Sequence, residues 1–320
     1  MDLPLLQPCV GRREGYIEGM RTIRPHLRFA HLTDLHFTAQ RIARYPTVMH
    51  VFERTIADLN EQDLDFVLLT GDLFHLPHRI ERDLPEFRRI LDGLRHPYYA
   101  AFGNHDVEGD GSNARKAFLM EGLGDQGLSL GSPWYSFSPA KGTRLIVLDS
   151  TDSGDEDYHT WRGSFKSRQA RWLLETLEAH RDEAVIIGMH HPPVTPYPLM
   201  DLLKFGDRDR VRLQWALKKQ DHVAAILCGH YHLTGSHAFG STQVLTGPSL
   251  VEHPHRYRIF SLHAQGEGKG HLEYAVRQVP VSPIEDAACA KGRAVQFRTA
   301  ALSHVLSTSR NGGYPIALPH

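Results

Sequence analysis

The chain has 320 residues, of which 41% are hydrophobic, and its 36 basic and 37 acidic side chains give a net charge of −1. This composition excludes a disordered or collagen-like chain. It also lacks the basic field that drives nonspecific binding to nucleic acid, and it disfavours a polybasic membrane anchor. The unusual number is 22 histidines, about three times the average usage for this length. The count suggests a site that uses imidazole.

The cysteines and the apolar stretches indicate a location. Cys9, Cys228 and Cys289 are an odd number at wide spacings, which fits neither a disulfide framework nor a cysteine-based zinc site. No apolar run approaches the roughly 20 residues that a membrane-spanning helix needs. The first residues have no continuous apolar core of the kind that a secretory signal contains. We therefore predict a cytoplasmic protein without a transmembrane segment.

Short apolar runs predict the strands in the first two thirds of the chain, since each is nearly continuous, as in strands buried on both faces. The runs cover residues 27–32, 66–70, 98–102, 145–148, 184–189 and 223–228. Between them, a 3.6-residue apolar stripe predicts helices over 48–59 and 170–177, with Ser167 as the N-cap of the second. Strands that alternate with helices indicate an α/β fold.

After Gly229 the pattern becomes more alternating, at residues 243–245, 257–263 and 271–276. With glycine-rich turns between them, these segments predict antiparallel hairpins that complete a second sheet. We divide the chain into an N-terminal extension (1–26), a central domain (27–278) and a C-terminal appendage (279–320). The appendage contains an alanine-rich stretch, 287–306, that is predicted to be helical. We interpret it as a flap, or as a dimer arm through which the chain forms a homo-oligomer.

Polar residues follow five of the predicted strands. They are Asp34 and His36, then Asp72, then Asn104, His105 and Asp106, then His190, and finally His230 and His232. Because ligands bind in α/β sheets outside the carboxyl ends of the strands, we expect these clusters to meet in one crevice. Carboxylates, an amide oxygen and imidazoles, with no thiolate, suit two divalent ions such as Mn, Fe, Zn or Co. Two such ions, roughly 3.5–4 Å apart, can share a bridging hydroxide that attacks a phosphoryl group in line.

A single aspartate after a strand more often caps a turn than binds a metal, so the evidence lies in the ordered set. The blocks Asp34-x-His36, Gly71-Asp72, Gly103-Asn104-His105-Asp106, His190 and Gly229-His230-x-His232 resemble those of the calcineurin-like metallophosphoesterases. The similarity covers about residues 27–278, which would be the catalytic domain. It looks greatest to the branch that contains class III cyclic-nucleotide phosphodiesterases and glycerophosphodiesterases. The resemblance implies a four-layer α-β-β-α sandwich of two mixed β-sheets with helices on the outer faces.

The resemblance also implies a role for each residue. Asp34, His36 and His232 would hold the first metal, Asn104, His190 and His230 the second, and Asp72 would bridge them. His105 would face the substrate and protonate the leaving alkoxide, with Asp106 orienting its imidazole. The sequence departs from the pattern at His75, where relatives often carry an acidic or small residue. The roles of His75 and of His191 stay open at this point.

The function implied is a dinuclear metal-dependent phosphodiesterase that hydrolyses a cyclic nucleotide or a similar small diester by attack of a metal-bridging hydroxide. One alternative is a pyrophosphatase-type hydrolase of a nucleotide-linked lipid precursor, in which residues 279–320 form a lipid-binding flap. A second alternative, from a different class, is a non-catalytic scaffold built on a phosphoesterase core. DNA-repair nucleases share the style of the blocks, but the near-neutral charge gives no strong nucleic-acid signature.

Overall fold

A computed structural model describes residues 26–107, 113–124, 127–128, 131–151, 162–195, 205–266, 269–282 and 311–317. The strands in this part of the chain are β1 (Leu27–Leu32), β2 (Phe66–Thr70), β3 (Tyr98–Ala101), β4 (Tyr135–Ala140), β5 (Thr143–Val147), β6 (Ala184–Gly188), β7 (Val223–Cys228), β8 (Gly235–Phe239), β9 (Thr242–Thr246), β10 (Arg256–Gly266), β11 (Lys269–Gln278) and β12 (Gly312–Ala317). The helices are α1 (Val48–Asn60), α2 (Ile80–Leu91), α3 (Asn104–Val107), α4 (Asn113–Leu123), α5 (Ser167–Ala179) and α6 (Asp207–Leu217).

These strands form two mixed sheets. The first has the order β12-β11-β10-β1-β2-β3, and the second has the order β4-β5-β6-β7-β9-β8. In the first sheet β1, β2 and β3 are parallel, and β10, β11 and β12 extend it in antiparallel fashion. In the second sheet β5, β6, β7 and β9 are parallel, and β4 and β8 are antiparallel edges. The parallel strands of both sheets are the ones that precede the predicted site residues.

The side chains of β5 show how the layers stack, because successive residues of a strand point to opposite faces. Leu145 and Val147 belong to the core that the two sheets share, whereas Ile146 belongs to the core under α5 and α6. On the far side of the first sheet, Phe52 of α1 and Phe87 of α2 stack with ring centroids 5.0 Å apart, and both are buried. The predicted α/β, four-layer α-β-β-α sandwich is confirmed.

The hairpins after Gly229 do not all join the second sheet, so that prediction was wrong in part. β8 and β9 do join it, but β10 and β11 extend the first sheet because β10 pairs with β1. Phe29 and Phe260 stack across this pair with centroids 5.1 Å apart, and both are fully buried. Alternation of apolar residues identifies a hairpin but carries no information about which distant strand it will pair with.

The predicted N-cap of α5 was wrong, and the predicted C-terminal helix is not tested. Ser167 is the first residue of α5 and Lys166 is its N-cap, which makes no side-chain capping bond, so the predicted cap was wrong. Lys166 is extended, and its carbonyl accepts the amide of Ala170, 3.0 Å away. The predicted helix over 287–306 and residues 1–25 lie outside the described residues, and the flap or dimer-arm role stays a prediction. No helix among the described residues combines the length and apolarity that a membrane span requires.

Candidate metal centre

All the predicted site residues follow strands at one edge of the sandwich, where the parallel strands of both sheets end. Several of them have left-handed backbone, which costs an L-residue about 1–3 kcal/mol and is tolerated best by Asn, Asp and His. They are Asp34 (φ 53), His36 (φ 44), Asp72 (φ 50), His230 (φ 72) and His232 (φ 58). Loop hydrogen bonds hold this conformation, including Asp34 N to Gly71 O at 3.1 Å and His36 N to Asp72 O at 2.9 Å. The residues with unfavourable left-handed backbone are thus the ones whose polar side chains converge.

Two glycines allow the loops after β2 and β3 to approach each other. Gly71 has φ +83, and a Cβ there would lie 2.7 Å from Gly103 N and 2.7 Å from His190 Nδ1. A Cβ on Gly103 would lie 2.3 Å from Asp72 N. Only a residue without a side chain fits either position, so the glycines before Asp72 and Asn104 are required by close backbone approach.

We call Asp34, His36, Asp72 and His232 the first ligand group. His36 Nε2 lies 3.1 Å from His232 Nε2, and His232 Nε2 lies 3.4 Å from Asp34 Oδ1. Asp72 Oδ2 lies 3.7 Å from His36 Nε2. The atoms of Asp34, His36 and His232 are close enough together to hold one metal ion.

The second ligand group consists of Asp72, Asn104, His190 and His230. His190 Nε2 lies 3.4 Å from Asp72 Oδ2, 3.3 Å from Asn104 Oδ1 and 3.2 Å from His230 Nδ1. The same Asp72 oxygen therefore faces both groups. Imidazole nitrogens, carboxylate oxygens and one amide oxygen converge without a thiolate, and this donor set fits two divalent first-row ions.

Further hydrogen bonds orient the ligand atoms. His190 Nδ1 lies 2.8 Å from the carbonyl of Thr70, which requires an N–H on that nitrogen and leaves Nε2 as the nitrogen that would bind a metal ion once it is deprotonated. Asp34 accepts the Thr33 hydroxyl at 2.9 Å and the His230 amide at 3.1 Å. His36 and His232 have side chains behind them: His36 Nδ1 lies 3.4 Å from His75 Nδ1, and His232 Nδ1 lies 3.2 Å from Glu252 Oε1.

Charge is unevenly distributed over the imidazoles of His190, His232 and His230. Burial opposes the charged form of His190, but the Asp72 carboxylate outweighs it and raises the pKa of His190 to about 9. Burial is likewise outweighed at His232, where Asp34 and Glu252 raise the pKa well above its usual value. At His230 burial and the neighbouring His190 lower the pKa to about 3. Burial would raise the pKa of Asp72, but His190 and His105 hold it well below its usual value. The crevice therefore favours positive charge close to its carboxylates.

His105 lies half-buried at the mouth of the crevice, with its ring centroid 4.8 Å from that of His36. Its Nδ1 lies 3.2 Å from the carbonyl oxygen of His75, which accepts the Nδ1–H. Asp106 is fully buried and accepts the amides of Phe74 at 3.0 Å and Gly103 at 2.8 Å. The sequence predicted that Asp106 orients the imidazole. In the structure Nδ1 of the imidazole contacts the His75 carbonyl, and Asp106 ties together the two loops that carry His75 and His105, while its predicted orienting role stays a prediction.

Comparison with known proteins identifies the family. Residues 27–233 match the model of the calcineurin-like phosphoesterase family. The chain belongs to this family. It is 30% identical over 220 residues to a cAMP/cGMP dual specificity phosphodiesterase of Mycobacterium tuberculosis, an alignment that covers 68% of this chain and 65% of the relative. The chain thus spans about two thirds of that relative's length.

A second sequence relative and one solved structure of the same fold are also similar to the chain. A probable glycerophosphodiester phosphodiesterase of Arcobacter nitrofigilis is 30% identical over 188 residues, covering 58% of this chain and 63% of the relative. Among solved structures, a dimetal phosphatase from Danio rerio has a TM-score of 0.62 at 18% identity, covering 80% of this chain and all of that one. The predicted resemblance to the calcineurin-like family and its class III branch is confirmed.

The structure also places the residues whose roles the sequence left open. His191 is fully buried behind the second ligand group, with Nδ1 2.9 Å from the Ser150 hydroxyl and its ring 4.5 Å from that of His230. His75 stacks on His105 with centroids 5.7 Å apart.

Sequence reasoning missed Glu252, which follows His232 by twenty positions and belongs to no block of the calcineurin-like pattern. It also missed Tyr45, whose ring lies 5.7 Å from His36 and 4.9 Å from His75. Neither residue has a sequence signal, since each reaches the crevice only through the folding of a loop.

Proposed function

We propose that this calcineurin-like phosphoesterase is a dinuclear metal-dependent phosphodiesterase whose substrate is a small diester such as a cyclic nucleotide. The observation that carries the proposal is the position of Asp72 Oδ2, 3.7 Å from His36 Nε2 and 3.4 Å from His190 Nε2. One carboxylate oxygen thus faces nitrogens of both ligand groups, which is the arrangement that a bridging ligand needs. The relatives named as phosphodiesterases support the choice of a diester over a monoester.

The proposed metal ligands are those of the two groups. Asp34, His36 and His232 would hold one divalent ion, Asn104, His190 and His230 the other, and Asp72 both. Mn, Fe, Zn and Co all suit this donor set. When bound, two such ions would activate water at neutral pH and neutralise charge on the phosphoryl oxygens.

His105 would act on the leaving group. Its Nδ1–H donates to the His75 carbonyl, so His105 would act as an imidazolium that delivers its Nε2 proton to the departing alkoxide and is left as a neutral ring with the proton on Nδ1. The same ring, at the mouth of the crevice, would stabilise negative charge on the phosphoryl oxygens. Asp106 would keep both loops in place through the amides of Phe74 and Gly103.

Hydrolysis of bis-p-nitrophenyl phosphate by the chain loaded with Mn, Fe, Zn or Co tests the proposal. We expect metal-dependent hydrolysis that is lost in Asp72→Ala and in His230→Ala, and that persists in His96→Ala. His96 is a matched control because its imidazole bonds the carbonyl of Leu59 and lies outside both ligand groups. Retention of full metal-dependent activity in Asp72→Ala or His230→Ala would refute the proposal.

A substrate screen separates this proposal from its alternatives. Turnover of cyclic nucleotides and other small diesters above phosphomonoesters supports it. Hydrolysis of a nucleotide-diphosphate lipid but not of cyclic nucleotides would favour the pyrophosphatase-type alternative, and no turnover with any metal would favour the scaffold. The cytoplasmic location and the homo-oligomer stay predictions.

A further inference from the structure

Glu252 places a buried carboxylate directly behind one imidazole of the first ligand group. Its Oε1 lies 3.2 Å from Nδ1 of His232, and the residue is only 8% exposed. Glu252 lies beyond residue 233, where the match to the family model ends. Burial of a carboxylate is unfavourable unless it is paired with a donor, and His232 is one such partner. The contact therefore bears on the role of His232 in the first ligand group.

The segment that carries Glu252 is fixed to the loop that carries Asp34. Leu250 N donates to Thr33 O at 3.1 Å, and the Ser249 hydroxyl donates to Asp34 O at 3.1 Å. Val251 is buried in a small apolar cluster with Tyr45 and with Val48, the first residue of α1. Glu252 O accepts the amide of His255 at 2.7 Å, which closes a turn. The carboxylate therefore has a defined position relative to Asp34.

The contact gives the two nitrogens of His232 different roles. A carboxylate accepts only from an N–H, so Nδ1 carries a proton, and a metal ion would bind through Nε2 once that nitrogen is deprotonated. That Nε2 lies 3.4 Å from Asp34 Oδ1 and 3.1 Å from His36 Nε2. A carboxylate behind an imidazole also makes it a stronger donor to a metal.

We propose that Glu252 is a positioning residue that fixes the tautomer of His232 and strengthens metal binding at the first ligand group. The inference rests on the metal centre of the proposed function. It applies to one position of that centre, because His190 in the second ligand group is oriented by the main-chain carbonyl of Thr70. Substitution of Glu252 should therefore change the metal affinity of the first ligand group and leave that of the second unchanged.

The test measures metal affinity itself. The full chain is loaded with Co²⁺, and the two ions are withdrawn by titration with a chelator in wild type, Glu252→Ala, Glu252→Gln and Glu273→Gln. Glu273→Gln is the control, since that side chain is 57% exposed on β11. We expect Glu252→Ala to weaken one of the two binding steps about 10–100-fold and to leave the other unchanged, with a smaller loss in Glu252→Gln. The loss in Glu252→Gln is smaller because the amide oxygen of the introduced side chain still accepts a hydrogen bond, although it brings no charge.

A double-mutant cycle separates positioning from a general structural effect. If Glu252 acts through His232, Glu252→Gln has no effect on metal affinity once His232→Ala is present. An equal loss in both backgrounds, or affinities in Glu252→Ala within about twofold of wild type at both steps, would overturn the inference. Should Glu252→Ala fail to fold, Glu252→Gln decides, because it preserves the shape of the side chain.

The result is distinguishable from a failure of the proposed function. A wild-type chain that binds two ions but hydrolyses no phosphodiester would refute the phosphodiesterase proposal and leave the role of Glu252 supported by the affinities. A chain that hydrolyses diesters but shows no effect of Glu252 substitution would refute the role of Glu252 alone.

Discussion

The two ligand groups of the crevice are supported in different ways. In the first, the outer nitrogens of His36 and His232 face side chains, namely His75 at 3.4 Å and Glu252 at 3.2 Å. In the second, His190 faces the carbonyl of Thr70 at 2.8 Å, and His230 packs against the buried ring of His191. The main-chain support of His190 is fixed by the fold itself, whereas the side-chain partners of His36 and His232 change with the sequence. Substitutions should therefore tune the first group more readily than the second.

The largest effect is expected at Asp72, the residue that the two groups share. Asp72→Asn removes the negative charge from both, so both metal-binding steps should weaken. Diester hydrolysis should fall about 10³-fold or more, because several kcal/mol of charge stabilisation is lost. His230→Ala should weaken only one binding step. Metal titrations of the two variants check this, and weakening of a single step in Asp72→Asn would contradict a bridging role.

A large effect on rate without an effect on metal binding is expected at His105. His105→Ala should lower kcat about 10²–10⁴-fold, the range for loss of a general acid, while both metal affinities stay at the wild-type level. Steady-state kinetics and chelator titration on the same preparation measure the two quantities. Loss of metal in His105→Ala would show instead that the residue belongs to the first ligand group, whose His36 it contacts.

A smaller effect is expected at His75, which bears on the first group alone. His75→Ala removes the partner of His36 Nδ1 and should weaken one metal-binding step about tenfold, the lower end of the range for an outer partner. His75→Asp should keep most of the affinity, because a carboxylate can accept the same N–H. The His105 contact should survive both substitutions, since it uses the main-chain carbonyl of His75. Equal metal affinities in His75→Ala and wild type would show that His75 does not support metal binding by the first ligand group.

The smallest effect on the crevice is expected from a clamp outside it. Asp58 of α1 accepts two hydrogen bonds from Arg277 of β11, at 2.6 and 2.7 Å, and one from Tyr257 at 2.6 Å. Burial would raise the pKa of Asp58, but these bonds outweigh it and lower the pKa below its ordinary value of 3.8. Asp58→Asn should cost about 1–2 kcal/mol of unfolding free energy, a figure reduced because the Arg277 side chain is 41% exposed.

The sign of the pH dependence follows from the lowered pKa of Asp58. A carboxyl whose folded pKa lies below its unfolded value stabilises the fold above the unfolded pKa, and loses that contribution as the pH falls through the folded one. The difference in unfolding free energy between wild type and Asp58→Asn should thus be full at neutral pH and shrink below about pH 4. Urea unfolding at several pH values measures it. The metal affinity of Asp58→Asn should equal that of wild type. A change in metal affinity would show that the Asp58 ion pair also affects the crevice.

The sequence predicts the central strands and the residues at their ends because both signals are local. Buried parallel strands are continuous apolar runs, and β2 and β7 match their predicted bounds. The edge strands β4, β8 and β12 were not predicted, since a strand with one open edge carries fewer apolar residues. In β12, Gly312, Gly313 and Pro315 also predict a turn and not a strand. Pro85 similarly interrupts the pattern of α2.

What the sequence could not show is how distant segments meet. A family pattern joins the residues that are predicted to be metal ligands, but Glu252 reaches His232 only through the hydrogen bonds of Leu250 and Ser249 to the loop after β1. The partner of β10 was unpredictable for the same reason, since an alternating pattern is satisfied by either sheet. Loop contacts of this kind depend on tertiary packing, which no short stretch of residues specifies.

The most direct test of the shared-carboxylate centre is a crystal of this chain soaked in Mn²⁺, with data collected to locate anomalous scatterers. Two peaks are predicted on either side of Asp72 Oδ2, roughly 3.5–4 Å apart, one beside His36 and His232 and the other beside His190 and His230. A single peak, or peaks that do not contact Asp72, would contradict the dinuclear centre.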